Sequence, residues 1–511
     1  MATLSDRVEC KELLGKVVPV EEAVKHVTDR CTIAISGFTK SGEPKAFFPA
    51  LAKHLTENAP KTKISLFSGA SLSDEVENPI APFIAKRGPY MSATASRKRI
   101  HAGEMEFTDV HLSTFARNLM YGFYGAVDLA VIEASRIRPD GSVVLSSSVG
   151  ISAEALRLAK KIVLEVNTSI PDYTGFHDIT LPSVHPNVHW PIPITNVNDR
   201  VGAPYVRIDK SKVVAIVESN LADYPVAFKP VLDIDRKIAE NVIDFLIHCQ
   251  KWYNWGKRLP PIQSGVGNVA NAIVGELYRS PFQKIRFWTE VFQDGMMRYV
   301  EDDDKFDSAS ATAISFSTEA RAQFERLFAR CRDKLVLRPM WISNCAELIT
   351  RLYVIAMNTP IEVDIYGHVN STHVDGSRLV NGLGGSGDFF RNAYISVVHT
   401  PSIRTLKDGR VVSCVMPYVR HIDHTEHDIK CVVTEQGYAL NTSIKSPRHR
   451  AEDIIEKCAH LHFRPILHDY LKMAGSGDEP RTTDMASLQS WWKEYDAACS
   501  SFPSAKPVAA T

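Results

Sequence analysis

The sequence predicts an α/β protein of two similar tandem α/β domains with mainly parallel sheets, and three observations carry that expectation. Apolar runs of strand length alternate with helix-period stretches along most of the chain. At 511 residues the chain is too long for one core. The halves also resemble each other when one is slid along the other, a sign of internal repetition. ISLFSG at 64–69 lies over IRFWTE at 285–290, SGF at 36–38 over SGV at 264–266, and Asp140-Gly141-Ser142 over Asp375-Gly376-Ser377. Gly150 and Gly385 follow these last two turns at the same interval.

The strand expectations run in chain order. In the first half they are TIAISGF (32–38), KISLFSG (63–69), VDLAVIEAS (127–135), KIVLEVN (161–167) and KVVAIVES (212–219). In the second half they are IRFWTEV (285–291), IEVDIYG (361–367), AYISVV (393–398), VVSCVM (411–416) and KCVVTEQG (430–437). Helices are expected over 46–59 and along the stripe Ile234, Ile238, Val242, Phe245, Cys249, apolar at steps of three and four. Prolines crowd the passage from Pro182 to Pro204, and YPVAFKP follows at 224–230. The expected domains are therefore 1–225 and 226–511.

Composition narrows the function classes. Lysine plus arginine equals aspartate plus glutamate at 59 each, with no long block of one sign, so no phosphate-tracking nucleic-acid surface is expected. No apolar run approaches the roughly 18 residues of a membrane span. Small molecules are the expected partners. The nine cysteines are scattered with no C-x-x-C pair, which fits reduced, mostly buried thiols rather than disulfides. The N-terminal MATLSDRVECKELLGK has neither a secretory apolar core nor the acid-free face of a transit peptide, and the terminal SAKPVAAT carries no retention or peroxisomal signal.

Four stretches carry chemistry. SGVGNVANA (264–272) matches a G-x-G-x-x-A dinucleotide fingerprint, with Glu290 near the place of its ribose-binding acid. Its lead-in KRLPPIQS has two prolines where the fingerprint needs a strand, which argues against nicotinamide binding. A plain tight turn before a helix is the alternative; either way a helix starting near Asn268 aims unpaired N–H groups outward. NGLGGSGDF (381–389) is a glycine loop that lacks the ending of a P-loop and has Asp388 where a nucleophile elbow needs glycine. It reads as backbone lining a ligand or as a loose surface loop. His421, His424 and His427 do not have zinc-ligand spacing, so no metal site is expected and a structural role is preferred. Glu290 ends an apolar strand, where a solvated or arginine-paired carboxylate is the commoner reading.

Taken together, QSGVGNVANA, WTEVFQDG, VDIYGHVNST, NGLGGSGDF, HTEHD and VVTEQG resemble the acetyl-CoA hydrolase/transferase family, the branch of class I coenzyme A transferases that includes succinyl-CoA:acetate CoA-transferases. SGFTKSGEPK, YGFYG and SVG in the first half resemble it too. The resemblance implies two CoA-transferase-like domains with the active site between them. It implies transfer of coenzyme A between acetyl-CoA or acetate and a carboxylate such as succinate, or acetyl-CoA hydrolysis on the same scaffold, with coenzyme A as substrate and no further cofactor. The family's nucleophilic glutamate, which forms a covalent glutamyl-CoA thioester, falls on Glu290. Its glycine-rich helix entry, which contacts coenzyme A, falls on Gly265, Val266, Gly267, Asn268 and Val269, with Val266 as an oxyanion amide donor. A second oxyanion contact and further coenzyme A contacts fall on Asn381 and Gly385, the carbonyl-assisting asparagine on Asn344, and a cofactor-contacting lysine on Lys407. Trp288, Val291 and Phe292 are expected to keep water from Glu290, and Glu435 to order the site by hydrogen bonds. After VVTEQG the family's acidic-leucine-arginine-glycine turn is replaced by YALNTSIKSPRHR. A homodimer in mitochondria, or alternatively in the cytoplasm, is what the family suggests.

Overall fold

The computed structural model describes residues 3–184, 190–227, 230–441, 446–475 and 485–503. Parts of the proline passage (185–189), of YPVAFKP (228–229) and of the altered stretch after Gly437 (442–445), with the tail from 504, lie outside the described residues.

The first half folds around an eight-stranded sheet. Its strands are β1 (Thr32–Ile35), β2 (Ile64–Phe67), β3 (Ile84–Gly88), β4 (Glu106–Phe107), β5 (Leu129–Ile137), β6 (Val143–Leu145), β7 (Lys161–Asn167) and β8 (Val213–Ser219). They run in the order β4-β3-β2-β1-β5-β7-β8, all parallel, with β6 antiparallel on β5. Helices such as Phe47–Asn58 cover the faces, so the inner strands are buried on both sides and read as unbroken apolar runs.

The second half repeats the plan. Its main sheet comprises β9 (Ile262–Ser264), β10 (Ile285–Trp288), β11 (Phe306–Ala311), β12 (Leu335–Leu337), β13 (Ile355–Asn358), β14 (Ile395–His399), β15 (Cys431–Thr434) and β16 (Gly437–Leu440). The order is β12-β11-β10-β9-β13-β14-β15-β16, parallel except for the β15–β16 hairpin. β9 therefore occupies the place of β1, and β10 that of β2, as the sequence overlay requires. The two Asp-Gly-Ser turns also correspond, each with its glycine at positive φ: Gly141 between the antiparallel β5 and β6, Gly376 between His373–Val374 and Arg378–Leu379.

Several expectations need correcting. IEVDIYG and VVSCVM belong to small side sheets, not to the main one: Glu362–Asp364 pairs with Val369–Asn370 and Val415–Met416, and Val411–Ser413 with Ile403–Thr405. Conversely, the short strands β3, β4, β6, β9, β11, β12 and β13, and most of β16, have no counterpart among the expected strands. β9 overturns one premise outright, because three residues of strand fit between Pro261 and Gly265. Proline at the residue before a strand costs no ladder bond, so KRLPPIQS does not exclude a strand–turn–helix unit. The helix stripe is as expected, with Ile238, Val242, Phe245 and Cys249 buried within Asp233–Tyr253.

The halves share a core at their contact, beside a second apolar cluster within the first half and a third mostly within the second. A single apolar cluster includes Ile132, Leu164 and Phe176 from the first half and Ile262, Phe287 and Leu337 from the second. Backbone bonds cross the contact: Val149 N–H donates to Thr312 O (2.8 Å), Ile314 N–H to Ser147 O (2.9 Å) and Met340 N–H to Gly150 O (3.0 Å). Buried Arg338 reaches from the second half to Asp178 and to the Asp199 carbonyl in the first. All nine cysteines are free thiols, eight of them buried.

Candidate active site

Glu290 sits just past the end of β10, beside the carboxyl ends of the parallel strands, where α/β sheets open their crevices. Its main chain is fixed, since its carbonyl accepts from both Thr312 N–H (2.9 Å) and Ala313 N–H (3.0 Å). The residues either side are tied to the glycine turn after β9: Thr289 Oγ1 donates to Ser264 O (3.0 Å) and Gln293 Nε2 to Gly265 O (2.7 Å). Only the side chain is left to face the cleft.

The cleft, about 380 Å³, lies between the halves. From the first half Thr39, Lys40, Ser71, Tyr90 and Ser92 contribute; from the second, Gly265, Val266, Glu290, Val291, Asn381 and the loop Leu383–Ser386. Glu290 is the one acid and Lys40 the one lysine or arginine among these described lining residues. Glu290 Oε1 accepts a hydrogen bond from Asn344 Nδ2 at 2.9 Å. Burial, assisted by the nearby Asp388 carboxylate and opposed by the Asn344 bond, pushes the Glu290 carboxyl up to about 7. The group is thus a carboxylate of raised basicity, ionised just above neutrality.

The glycine loop is packed, not loose. Leu383 N–H donates to both oxygens of Asp109 (2.9 and 3.1 Å), and positions 382, 384 and 387 abut Phe107, Tyr90 and His111 of the first half. Gly385 abuts Glu290: a methyl group built there would overlap Glu290 Oε1 and Asn344 Nδ2. The same contact recurs in the first half, where a methyl on Gly69 would lie 2.9 Å from the Gly150 Cα. The duplicated sites thus share a close approach, filled by backbone in one half and by a carboxylate in the other.

Of the expected site residues, Glu290, Gly265, Val266, Asn381 and Gly385 line the cleft. Asn344 lies buried behind Glu290. The Gly265 N–H is spent on Met357 O (2.9 Å), so that residue contributes backbone shape rather than a donor. Gly267, at φ +135°, makes the turn into the helix Asn268–Arg279, and Val269 is buried against the core. Asn381 Nδ2 is tied to Gly382 O (2.9 Å) within its own loop. Lys407 lies on the exposed turn of the Ile403–Thr405/Val411–Ser413 hairpin, outside the cleft lining. The expectation that Trp288 and Phe292 wall off water is incorrect: both are fully buried, in separate apolar clusters, and of the three apolar neighbours Val291 alone faces the cleft. Glu435 accepts from Ser402 N–H (2.8 Å) and Gln436 Nε2 (3.0 Å) and so orders the loop after β14 rather than the cleft.

The histidines of VRHIDHTEHD separate. His424 is buried, with Nε2 3.1 Å from Ser386 Oγ under the glycine loop; His421 pairs with Asp423 (3.2 Å), and His427 is exposed beside Glu426. Sequence reasoning missed Lys40, Tyr90 and Asp388. Burial and the Glu290 charge push the Tyr90 phenol up to about 12, so it remains a donor at the cleft wall. Nothing in local sequence marks Tyr90, whose place comes from the packing of one half on the other.

Comparison with known proteins shows the family and the fold. The acetyl-CoA hydrolase/transferase N-terminal domain matches residues 1–218 and the corresponding C-terminal domain residues 323–471, so Glu290 falls in the stretch between the two matches. The acetyl-CoA hydrolase of Schizosaccharomyces pombe is 41% identical over 497 residues, covering 93% of this chain and 95% of the relative. That of Neurospora crassa is 42% identical over 94% of each, and that of Saccharomyces cerevisiae 41% over 92% and 91%. Among solved structures, RipA from Yersinia pestis superposes with a TM-score of 0.69 at 21% identity, covering 90% of this chain and 97% of its own. The 4-hydroxybutyrate CoA-transferase of Porphyromonas gingivalis gives 0.61 at 19% identity, covering 90% and 98%, and at such identities the likeness speaks for the fold alone. This chain is an enzyme of the acetyl-CoA hydrolase/transferase family.

Proposed function

We propose that the protein moves coenzyme A from acetyl-CoA to a small carboxylate such as succinate through a covalent thioester on Glu290. One observation carries this reading: the single carboxylate facing the cleft has raised basicity, a fixed main chain and an amide donor in contact with it. A Glu290 oxygen attacks the thioester carbonyl. The oxyanion that forms is held by preorganised donors, with Asn344 Nδ2 and the Val266 and Gly385 N–H groups as the candidates, each worth about 3 kcal/mol in comparable sites. Collapse breaks the C–S bond and leaves an acetyl-glutamyl anhydride and coenzyme A thiolate. The thiolate attacks the glutamyl carbonyl and releases acetate, giving glutamyl-CoA, and an incoming carboxylate reverses the steps. Electron pairs balance without a metal or redox group.

Hydrolysis is the second reading, favoured by the cleft lining and by the relatives' name. Thr39, Ser71, Ser92, Thr359, Ser371 and Ser386 give the cleft hydroxyl walls that can hold water. Water attacking either acyl intermediate would yield acetate and coenzyme A. Free thiol followed with and without succinate separates the two: transfer predicts little free thiol under either condition, because coenzyme A passes to the acceptor as its thioester, and fast acceptor-independent release makes the enzyme a hydrolase. The covalent step is tested by borohydride reduction after acetyl-CoA treatment, which should change the mass of the peptide bearing Glu290 in the wild type and not in Glu290→Gln.

A further inference from the structure

Asn344 is fully buried, and its amide decides what faces the reacting carbonyl. Nδ2 is shared between two carboxylates, Glu290 Oε1 at 2.9 Å and Asp388 Oδ2 at 3.3 Å, while Oδ1 is buried without a partner among the described residues. The two ends of an amide are nearly the same size, so packing does not choose between them and the partners must. In the free enzyme both acids select the nitrogen. Once Glu290 is acylated it carries no charge, and its preference lapses at the stage where a second oxyanion must form.

Asp388 does not lapse. It lies in the first turn of Ser386–Asn392, behind Gly385, and is held from the other half of the molecule. Ser113 N–H donates to its Oδ2 (3.0 Å) and Ser113 Oγ to its Oδ1 (2.5 Å), both from the start of the helix Leu112–Met120, with His111 Nδ1 at 3.7 Å. Resting on the covalent reading above, we infer that Asp388 is a positioning residue. It keeps the Asn344 nitrogen turned toward the Glu290 carbonyl while Glu290 is acylated, and it transmits the contact between the two halves to the reacting atoms.

Asp388→Asn preserves shape and removes the charge. Its kcat is expected to fall about 10- to 100-fold with KM for acetyl-CoA within about twofold. Among the described residues, the charged and titrating groups around Glu290 are Asp388, Tyr90 and, in the same cleft, Lys40, and those around Asp388 are Glu290 and His111. Since the Asp388 charge raises the Glu290 carboxyl, the acidic limb of the kcat/KM profile should move to lower pH in this variant, a change that a mere packing defect would not produce. Ser113→Ala, which removes one bond to Asp388, should shift kcat in the same direction by less, and serves if Asp388→Asn is unstable. Wild-type kcat and an unmoved acidic limb in the soluble variant overturn the inference. If Glu290→Gln retains activity the covalent reading itself fails, whereas an inactive Glu290→Gln beside a wild-type-like Asp388→Asn removes only the role of Asp388.

Discussion

At the scale of single residues, the site depends on what is missing from Gly385 as much as on what Glu290 supplies. A methyl there must displace the Glu290 carboxylate and the Asn344 amide together. Gly385→Ala should therefore lose about 100-fold or more in kcat with an unchanged circular dichroism spectrum, since misplacement of about 1 Å has that cost. Gly15→Ala, where nothing lies within 4 Å, should keep full activity in the same assay. Glu290 also has a thermodynamic signature. Its folded carboxyl titrates near 7 against an ordinary 4.5, so between those values the folded protein holds a proton that the unfolded chain releases. Stability from this group is complete below pH 4.5 and lost as pH rises through 7. Glu290→Gln should accordingly be more stable at pH 8, by up to about 3 kcal/mol, and no more stable at pH 4. Denaturant melts at the two pH values check this, and an equal effect at both would contradict it.

Among the elements, the turn into the helix Asn268–Arg279 and the loop 382–388 deliver the backbone around Glu290. Gly275, in the middle of that helix, has open space around its Cβ position. Gly275→Ala should raise stability by about 0.5–1 kcal/mol without altering kcat, because alanine loses less backbone entropy on folding. Asp109 pins the loop through Leu383 N–H. These elements differ in how far sequence disclosed them. The long strands β5, β7 and β8 were legible because burial on both faces forces an unbroken apolar run. β9 and β12 are three residues each, and β11 reads FDSASA, so none has an apolar run long enough to stand out. Their strand state is imposed by neighbours in the sheet. VVSCVM shows the converse, an apolar run drawn into side sheets against the core rather than into the main one.

For the whole molecule, the duplicated halves keep apolar clusters of their own and also share one across their contact. The apolar cluster runs through both halves, and the backbone bonds near Val149, Thr312 and Gly150 fix them in one orientation. Unfolding should appear as one cooperative transition in calorimetry, and two resolved peaks would show the halves to be separable. Arg338, buried and paired with Asp178 across the contact, is the most exacting ion pair in this interface. Arg338→Met strands the Asp178 charge and should cost about 3–5 kcal/mol in denaturant unfolding; a loss below about 1 kcal/mol would mean that water reaches the aspartate.

The sequence by itself determined the class of sheet, the internal repeat and the asymmetry that marks Glu290, because parallel-strand burial, glycine turns and repeated motifs are local and written in order along the chain. Only the tertiary structure decided which residues surround that acid. Tyr90, Lys40, Ser113 and Asp109 come from the first half, while Trp288 and Phe292, the neighbours of Glu290 in sequence, turn away into the core. The physical reason is that burial, hydrogen-bond partners and the raised basicity of Glu290 arise from contacts between segments tens to hundreds of residues apart, which no local pattern encodes.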